Sequence, residues 1–363
     1  MQIITRKSFW IIGTAVLGLA LALAGPGLTE SRAEDVSFKG ETVKVYVGFG
    51  PGSSNDTYLR QFAPYLQKHL PGNPTVIVDN KAGGAGIVMG NYFYNTVKPD
   101  GREVGFYAVA VMNMWLGNPN VKFDITKMPL LGGFGVNVVT LVHESTGLKT
   151  AKDLLNAKKE IYMGASSRTS PNHIGDTAIL RIFGIPHKGL TGIRNSGRAF
   201  QGMRAGELTM YSVASDIYLL HKDALNRDGI YAIYQRGMLE AGGSVTNQKS
   251  LGLPTVDEVV RTYKPEAANS PIFKALIASL GVYAGAKPFF LPQGTDQNYV
   301  DVWSNSLAAA REDKEYVTMF EKQSGELAKW FDPEDGRKLL TAISASFADE
   351  DVMASIREIS AKK

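Results

Sequence analysis

The stretch that decides the fold is Gly48 to Phe62, GFGPGSSNDTYLRQF, where an alternating apolar run gives way to an amphipathic one. Before it, the run from Thr42 to Val47 alternates valines with polar or amphipathic residues, which predicts a strand with one buried face. Between the two runs, Gly50, Pro51 and Gly52 permit a sharp turn. Behind the turn, apolar residues recur at helical spacing, at Leu59, Phe62, Ala63, Leu66 and Leu70. The sequence therefore predicts a strand, a tight turn and a helix.

The same alternation continues along the chain. Strand-like runs at 75–78 and 103–110 flank a glycine-rich turn into a second helix, and a later strand-like run at 161–163 is followed by a polar loop and another helix. The last third is mostly helical, with Asp332 and Pro333 placed as N-cap and first-turn residues of one helix. This order predicts an α/β fold with sheets covered by helices. With 363 residues and 44% hydrophobic content, the chain has room for two cores.

The N-terminal segment has the features of a secretory leader. Arg6 and Lys7 precede a mostly apolar run from Phe9 to Ala24, and a small-residue site, Ser31–Ala33, follows. These features predict a signal peptide over residues 1–33. A transmembrane anchor is the alternative, but the run is shorter than the roughly 20 apolar residues that span a bilayer. The sequence has no cysteine, so we expect a soluble mature chain without disulfides or a lipid anchor, in a bacterial periplasm.

Charge argues against a nucleic-acid partner. The formal net charge is only +4 at pH 7, and the lysines and arginines are scattered without a basic stripe or interleaved aromatic residues.

Two polar loops have the chemistry of anion sites. In each, a strand-like run leads into a helix start, where free backbone N–H groups and the helix dipole favour a negative charge without any cation. The first is the loop at Gly48–Asp56, and the second is GASSRTSPNH at Gly164–His173. Ser170 is a plausible N-cap of the second helix, with Pro171 at its first position. Two such loops on two α/β units suggest one ligand held between them.

The mature chain resembles the periplasmic solute-binding proteins of tripartite tricarboxylate transporters, the TctC or Bug-like proteins. Each matching stretch is weak alone, but their order and spacing together are specific. The stretches are VYVGFGPGSSNDTYLRQFAPYL, VIVDNKAGGAGIVMGNYF, KPDGREVGF, IYMGASSRTSPNHIGDTAIL, LTGIRNSGRAFQGMRAGEL and LPTVDEVV.

The resemblance implies a fold and a function. The fold is an α/β, two-lobed periplasmic binding protein of type II, a Venus-flytrap clamshell in which each lobe is a sheet flanked by helices. We expect lobe 1 to comprise residues 34–143 and 236–363, and lobe 2 residues 144–235, with hinges near 141–144 and 231–235. The ligand would be a small mono- or dicarboxylic acid, aliphatic or aromatic, delivered to the membrane permease subunits. We expect a monomer without cofactor, metal or catalytic residues.

The resemblance also implies a set of ligand-binding residues in three segments of the chain. Within the first segment, Asp56 matches as a cap and loop-former more than as a ligand contact. The full set is Gly52, Ser53, Ser54, Asn55, Asp56, Ser166, Ser167, Arg168, Thr169, Ser170, His173, Thr191, Gly192 and Ser196.

The chain departs from the family pattern at three places. Arg168 is an added cation in the second loop, which either pairs with a second carboxylate or points to water. Thr209 stands where the family usually has an acidic residue. Met112, Met114 and Trp115 follow the third strand, where they either form an apolar wall that favours a hydrocarbon-bearing acid or belong to the core.

Two other classes of function stay open. One is a sensor that binds the same acid for a two-component signalling system. The other is an exported hydrolase using Ser166 or Ser170 with His173. Against an enzyme, the sequence has no nucleophile elbow, zinc-protease motif or Walker A lysine, and its five histidines are widely separated. The glycines of GAGIVMG, at 84–90, form only a loose dinucleotide fingerprint, and a tight turn that packs a helix on the sheet explains them equally well.

Overall fold

The computed structural model describes residues 36–107, 110–193, 195–240, 242–324 and 327–361. The predicted signal peptide, residues 1–33, lies outside these ranges. The chain from Val36 onward forms one compact unit. None of the helices within these ranges combines the length and the apolar character needed to cross a bilayer.

Strands and helices alternate through the first two thirds of the chain, as the sequence predicts. The strands are β1 (Thr42–Val47), β2 (Thr75–Asn80), β3 (Glu103–Phe106), β4 (Leu130–Phe134), β5 (Val138–His143), β6 (Ile161–Ala165), β7 (His187–Thr191), β8 (Met210–Ala214), β9 (Ile230–Gln235), β10 (Met238–Leu239), β11 (Val245–Thr246), β12 (Lys287–Phe290) and β13 (Trp330–Phe331). The α-helices are α1 (Ser54–His69), α2 (Ile87–Thr96), α3 (Ala110–Trp115), α4 (Pro171–Ile182), α5 (Ser196–Arg204), α6 (Ser215–Arg227), α7 (Val256–Tyr263), α8 (Pro271–Ala284), α9 (Gln297–Glu312), α10 (Lys314–Ser324), α11 (Pro333–Ala348) and α12 (Glu350–Ser360).

The first sheet has six strands in the order β13-β4-β12-β3-β1-β2. Its β1 runs parallel to β2 and β3, with Val45 opposite Val78 on one side and Val104 on the other. The alternating valines of β1 are buried, and they belong to the same core cluster as Phe62 and Leu66 of α1. The predicted strand, turn and helix are therefore confirmed, and burial of their apolar faces holds them together.

The second sheet has five strands in the order β7-β6-β8-β5-β9. Its β6 is parallel to β7 and β8, whereas β5 is antiparallel to β8 and β9. Both α/β units are thus mixed sheets covered by helices, which confirms the predicted fold class.

The chain passes from the first sheet to the second between Phe134 and Val138. This passage precedes the predicted boundary after residue 143, because the apolar run of β5 pairs with the second sheet on both of its sides. Likewise the predicted hinge runs, 141–144 and 231–235, lie largely in β5 and β9, which pair with each other. The lobe boundaries stay predictions.

One predicted strand is shorter than expected. The run 103–110 forms a strand only as far as Phe106, and Ala110 begins α3; residues 108 and 109 lie outside the described ranges. The apolar character of the run cannot distinguish a buried strand from a buried helix start, since both are fully covered.

The helical last third packs against both sheets. Helix α9 contacts α1 and β4, whereas α8 packs on α4, α11 and α12. Asp332 caps α11, and its side chain accepts a hydrogen bond from the N–H of Asp335 at 2.8 Å. The predicted cap is therefore confirmed.

Candidate ligand site at the carboxyl edges of the two sheets

The predicted ligand loops follow strands whose carboxyl ends share one edge of each sheet. In the first sheet, β1 and β2 are parallel, so the loop at 48–53 lies beside the glycine-rich segment after β2. In the second sheet, β6 and β7 are parallel, so the loop at 166–170 lies beside Gly192. Ligands of open α/β sheets bind at such carboxyl edges.

The first loop is built around the carboxylate of Asp56. Its Oδ2 accepts a hydrogen bond from the N–H of Gly52 at 2.8 Å, and its Oδ1 accepts from Arg60 at 3.0 Å and from Asn80 at 2.8 Å. Burial acts to raise the pKa of Asp56, but the bonds from Arg60, Gly52 and Asn80 outweigh it and hold the pKa below its usual value. Asp56 is a loop-former, as expected, and its carboxylate is not available to a ligand.

Two of the predicted binding residues in this loop, Gly52 as a donor and Ser53 as an acceptor, already make hydrogen bonds within the loop. The N–H of Gly52 bonds to Asp56, and Gly52 has a φ of 76°, a backbone conformation that favours glycine. Ser53 is the N-cap of α1, and its side chain accepts from the N–H of Asp56 at 3.3 Å. Asn55 is buried, while Ser54 is exposed and makes no side-chain hydrogen bond within the described part of the chain. Of this segment, Ser54 offers the most accessible donor.

The glycine-rich segment after β2 packs closely against the first loop. A Cβ on Gly48 would lie 2.7 Å from the Cα of Gly86, closer than real Cβ atoms come. The glycines of the loose dinucleotide fingerprint therefore serve backbone packing between a turn and the sheet.

The second loop is ordered by Ser170. Its hydroxyl donates to the carbonyl of Ser167 at 2.8 Å and accepts from the N–H of His173 at 3.3 Å, which makes it the N-cap of α4, as predicted. Ser166, Ser167 and Thr169 are exposed. Their hydroxyls are the accessible polar groups of this loop, but those of Ser167 and Thr169 lie 3.3 Å apart and hydrogen-bond each other, so one of these two is engaged as a donor.

Arg168 is bound to the C-terminal helix. Its Nη1 donates to the carbonyl of Ala361 at 3.0 Å, and its own carbonyl accepts from Ser360 at 3.2 Å. In this structure the guanidinium thus satisfies a helix C-terminus, where cations are favourable, so neither of the two expected roles, pairing with a ligand or pointing to water, describes it.

His173 is buried, with 3% of its surface exposed, and its Nδ1 has no hydrogen-bond partner among the described residues. Burial is the main reason that its pKa falls from 6.5 to about 4; the charge of Arg168 lowers it further, and a hydrogen bond with the backbone of Ile359 opposes the fall. The contact between His173 and Ser170 uses the backbone N–H and not the ring. This geometry does not provide the serine–imidazole pair that a hydrolase needs.

The third segment joins the second loop. The N–H of Gly192 donates to the carbonyl of Ser166 at 3.2 Å, and the N–H of Ile193 donates to Ala165 at 3.1 Å. Thr191 and Gly192 are exposed, and Ser196 is the first residue of α5. The structure therefore brings the second and third predicted segments together, while no hydrogen bond among the described residues joins them to the first.

The other departures from the family pattern have structural roles. Thr209 lies just before β8, at the end of the strand away from the ligand edge, and its hydroxyl accepts from the N–H of Tyr162 at 2.9 Å. Met112 is buried in the core, and Met114 and Trp115 pack against it, with Trp115 stacked on Phe347. All three residues after β3 belong to the core cluster or its margin.

Sequence reasoning missed a pocket where the chain crosses between the sheets. The cavity has a volume of about 110 Å³, and six of its lining residues are Asn137, Ser215, Asp216, Gln248, Lys287 and Lys329. We call it the Lys287 pocket. Its one signal in the sequence is the lone lysine in the apolar run Ala284–Leu291, a pattern that resembles an ordinary strand.

Beside this pocket, side-chain amides connect the segment between the first and second sheets, at Asn137, with the end of β9 and the residues that follow it. Asn137 donates to Gln235 at 2.7 Å, and its carbonyl oxygen accepts from the N–H groups of Val138 at 2.8 Å and Gly237 at 3.0 Å. The N–H of Gln248 also donates to Gln235, at 2.7 Å. These groups are buried, so each lost bond would leave an unsatisfied polar atom.

A buried ion pair joins α4 to the residue that follows β9. Arg236, directly after β9, pairs with Asp176 of α4, and both side chains are 1% exposed. Asp176 also accepts from Ser212 at 2.7 Å. The pair connects the helix that follows the second loop to the chain segment that leaves the second sheet.

Known proteins with a similar structure share this architecture. A TctC solute-binding protein from Polaromonas aligns with a TM-score of 0.60 and 15% identity over 86% of this chain and 97% of the other. MatC from Rhodopseudomonas palustris with bound malate aligns with a TM-score of 0.59 and 16% identity over 86% and 98%. An R. palustris protein with adipate gives 0.62 and 16% over 88% and 97%.

Sequence comparisons give no further relatives: no protein-family model matches the chain, and neither does any curated protein. At 15–16% identity, the structural likeness establishes the fold. The chain therefore has the fold of the periplasmic solute-binding proteins of the TctC and Bug type.

Proposed function

We propose that this protein is a periplasmic solute-binding protein of a tripartite tricarboxylate transporter, which captures a small carboxylic acid and delivers it to the membrane permease. The observation that carries the proposal is the placement of exposed hydroxyl donors at the carboxyl edge of each sheet, in a fold shared with proteins that hold malate and adipate. The predicted signal peptide supports export to the periplasm.

The mechanism is binding and lobe closure without covalent chemistry. Lobe 1 carries the first sheet and lobe 2 the second, and the chain passes from one to the other between Phe134 and Val138 and returns after β9. Ser54 reaches the acid from lobe 1, while Ser166, Thr169 and Gly192 reach it from lobe 2. Only the closed state lets both sets of donors touch one ligand, so binding shifts the population towards closure. The closed monomer is then what the permease recognises.

The hydrogen bonds that the loop donors would make to the acid can account for its binding affinity. A hydrogen bond to a charged group contributes about 1.5–3 kcal/mol. Several of them, less the cost of ordering the ligand and the loops, are compatible with a dissociation constant of about 1 μM, near −8 kcal/mol.

A thermal-shift screen of the chain from Val36 to Lys363 tests the proposal. The probes are malate, adipate and benzoate, with the corresponding amides as controls. Ligand at about 100 times its dissociation constant adds about 2.7 kcal/mol to the free energy of unfolding. We expect an acid to raise the melting temperature while its amide does not. If no mono-, di- or tricarboxylate in a wider panel produces a shift, the proposal is wrong.

Loop variants locate the binding. Ser54→Ala and Thr169→Val remove exposed hydroxyls at the two predicted loops, and each should weaken binding of the acid about tenfold, the loss of one charge-assisted bond. Thr42→Ala is the matched control, because Thr42 is exposed at the opposite end of β1. An equal loss in all three variants would contradict the assignment of the loops.

A further inference from the structure

The Lys287 pocket lies where the two sheets approach each other through the crossing segment Gly135–Asn137. The start of β12, at Lys287, pairs with Phe134 at the end of β4, and the start of β5 pairs with Ala214 at the end of β8. The pocket is therefore lined by Lys287 of the first sheet and, on the other side, by Ser215 and Asp216 at the start of α6, directly after β8 of the second sheet.

Lys287 is a buried cation that lacks an anionic partner. It is 7% exposed, and none of the ion pairs formed by the described residues includes it. Its Nζ lies 3.9 Å from the centroid of the Tyr58 ring, a contact that supports a cation from one side only. Burial lowers the pKa of Lys287, and the negative charge of Asp216 opposes this. A buried charge without a full set of partners costs stability, which marks a position held for function.

The remaining polar groups of the pocket determine which functional groups a ligand needs besides a carboxylate. Lys329 is already paired with Glu240, so it is not a second open cation. Asp216 is half-buried at the start of α6, and among the described residues its Oδ1 accepts only from the N–H of its neighbour Ile217 at 2.7 Å. Within the described part of the chain, the pocket thus has one cation without an ion-pair partner and one carboxylate, which can accept from a donor.

We propose that the Lys287 pocket binds one carboxylate of a transported dicarboxylic acid through the ammonium of Lys287, beside the loop donors that hold the other carboxylate, while Asp216 accepts a hydrogen bond from a hydroxyl or ammonium group on the same ligand. This inference rests on the proposed function and narrows the substrate class to small hydroxy or amino acids. The volume of about 110 Å³ suits a small ligand, since a water molecule takes about 30 Å³ of liquid.

Calorimetric titration of the chain from Val36 to Lys363 with malate, aspartate and succinate tests this assignment. The three acids share a four-carbon dicarboxylate and carry a hydroxyl, an ammonium or neither. We expect malate or aspartate to bind more tightly than succinate. Lys287→Met should weaken binding of the preferred acid by about tenfold or more, because it removes a buried charge that pairs with the carboxylate. Asp216→Asn should reduce the preference over succinate while succinate still binds.

Lys329→Met is the matched control, because it removes a cation that lines the same pocket but already has a partner. It should change affinity by less than about threefold; an equal loss in both lysine variants would indicate a general charge effect and overturn the contact. If Lys287→Met does not fold, Asp216→Asn decides the question. A smaller preference for malate or aspartate over succinate than in the wild type supports the proposal, and an unchanged preference overturns it.

The two proposals fail separately. Wild-type protein that binds carboxylates, with unchanged affinity in Lys287→Met, overturns the pocket assignment and leaves the proposed function standing. Tight binding of adipate or benzoate alone overturns the substrate class. Absence of binding to every carboxylate overturns both.

Discussion

Acidification should destabilise this protein through His173 before its carboxylates are protonated. His173 is 3% exposed, its Nδ1 lacks a partner in the part of the chain that the structure describes, and its pKa is lowered to about 4, mainly by burial. In the unfolded chain its pKa returns to about 6.5. Between these values the unfolded state binds more protons than the folded state, so the stability that is fully present above about pH 6.5 is lost as the pH falls towards 4.

The magnitude follows from the two pKa values. Relative to pH 7, the free energy of unfolding falls by about 1.2 kcal/mol at about pH 5.5 and by about 2.4 kcal/mol at about pH 4.5. The full effect is at most about 3.4 kcal/mol. Carboxylates with a lowered pKa, such as Asp56, lose their contribution mainly below these pH values.

Urea unfolding of the wild type and of His173→Gln at neutral pH, about pH 5.5 and about pH 4.5 measures this effect. The free energy of unfolding of the wild type should fall with decreasing pH more steeply than that of the variant, by the amounts above. His221→Gln is the control, because His221 is exposed on α6, and it should follow the wild type. Parallel curves for wild type and His173→Gln down to about pH 4.5 would refute the argument from burial.

Three further predictions concern the packing around α4. Arg236→Met should destabilise the protein by about 3–5 kcal/mol, because it leaves Asp176 charged and buried. Adding Asp176→Leu should recover most of this loss, as measured by urea unfolding. A double variant as unstable as Arg236→Met alone would contradict the prediction. Gly175→Ala places a methyl group against the Arg236 guanidinium and should cost about 1–3 kcal/mol. Gly197→Ala on α5 is the control, because its methyl group would meet only Asn195 Oδ1 at an ordinary contact distance of 3.5 Å, and it should be neutral or stabilising in the same assay. Ser170→Ala should lower stability by about 1 kcal/mol through loss of the N-cap; an unchanged melting temperature would argue against the cap.

Local features of the chain were predictable because they depend on neighbours in sequence. The alternation at Thr42–Val47 and the helical spacing after it led to β1 and α1, and the caps at Ser170 and Asp332 are confirmed by their hydrogen bonds. A period of two or 3.6 residues and a capping side chain act within one turn or one strand.

Features of the site depended on contacts that no local pattern reveals. The sequence shows His173 as a polar residue at a helix start, yet α12 covers it from almost 190 residues further along the chain, since its pKa responds to the backbone of Ile359. In the same way Arg168 donates to the carbonyl of Ala361, 193 residues further along the chain.

By itself, the sequence determined the α/β class, the position of the two polar loops behind strands, and the resemblance that suggested a carboxylate ligand. Only the tertiary structure decided which of those loop groups stay accessible, where the chain crosses between the sheets, and that Lys287 lies in a pocket together with the start of α6. The physical reason is that secondary structure follows from periodicity and capping, whereas burial and charge pairing follow from which distant segments pack together. A lone lysine in an apolar strand becomes an unpaired cation only when the fold surrounds it.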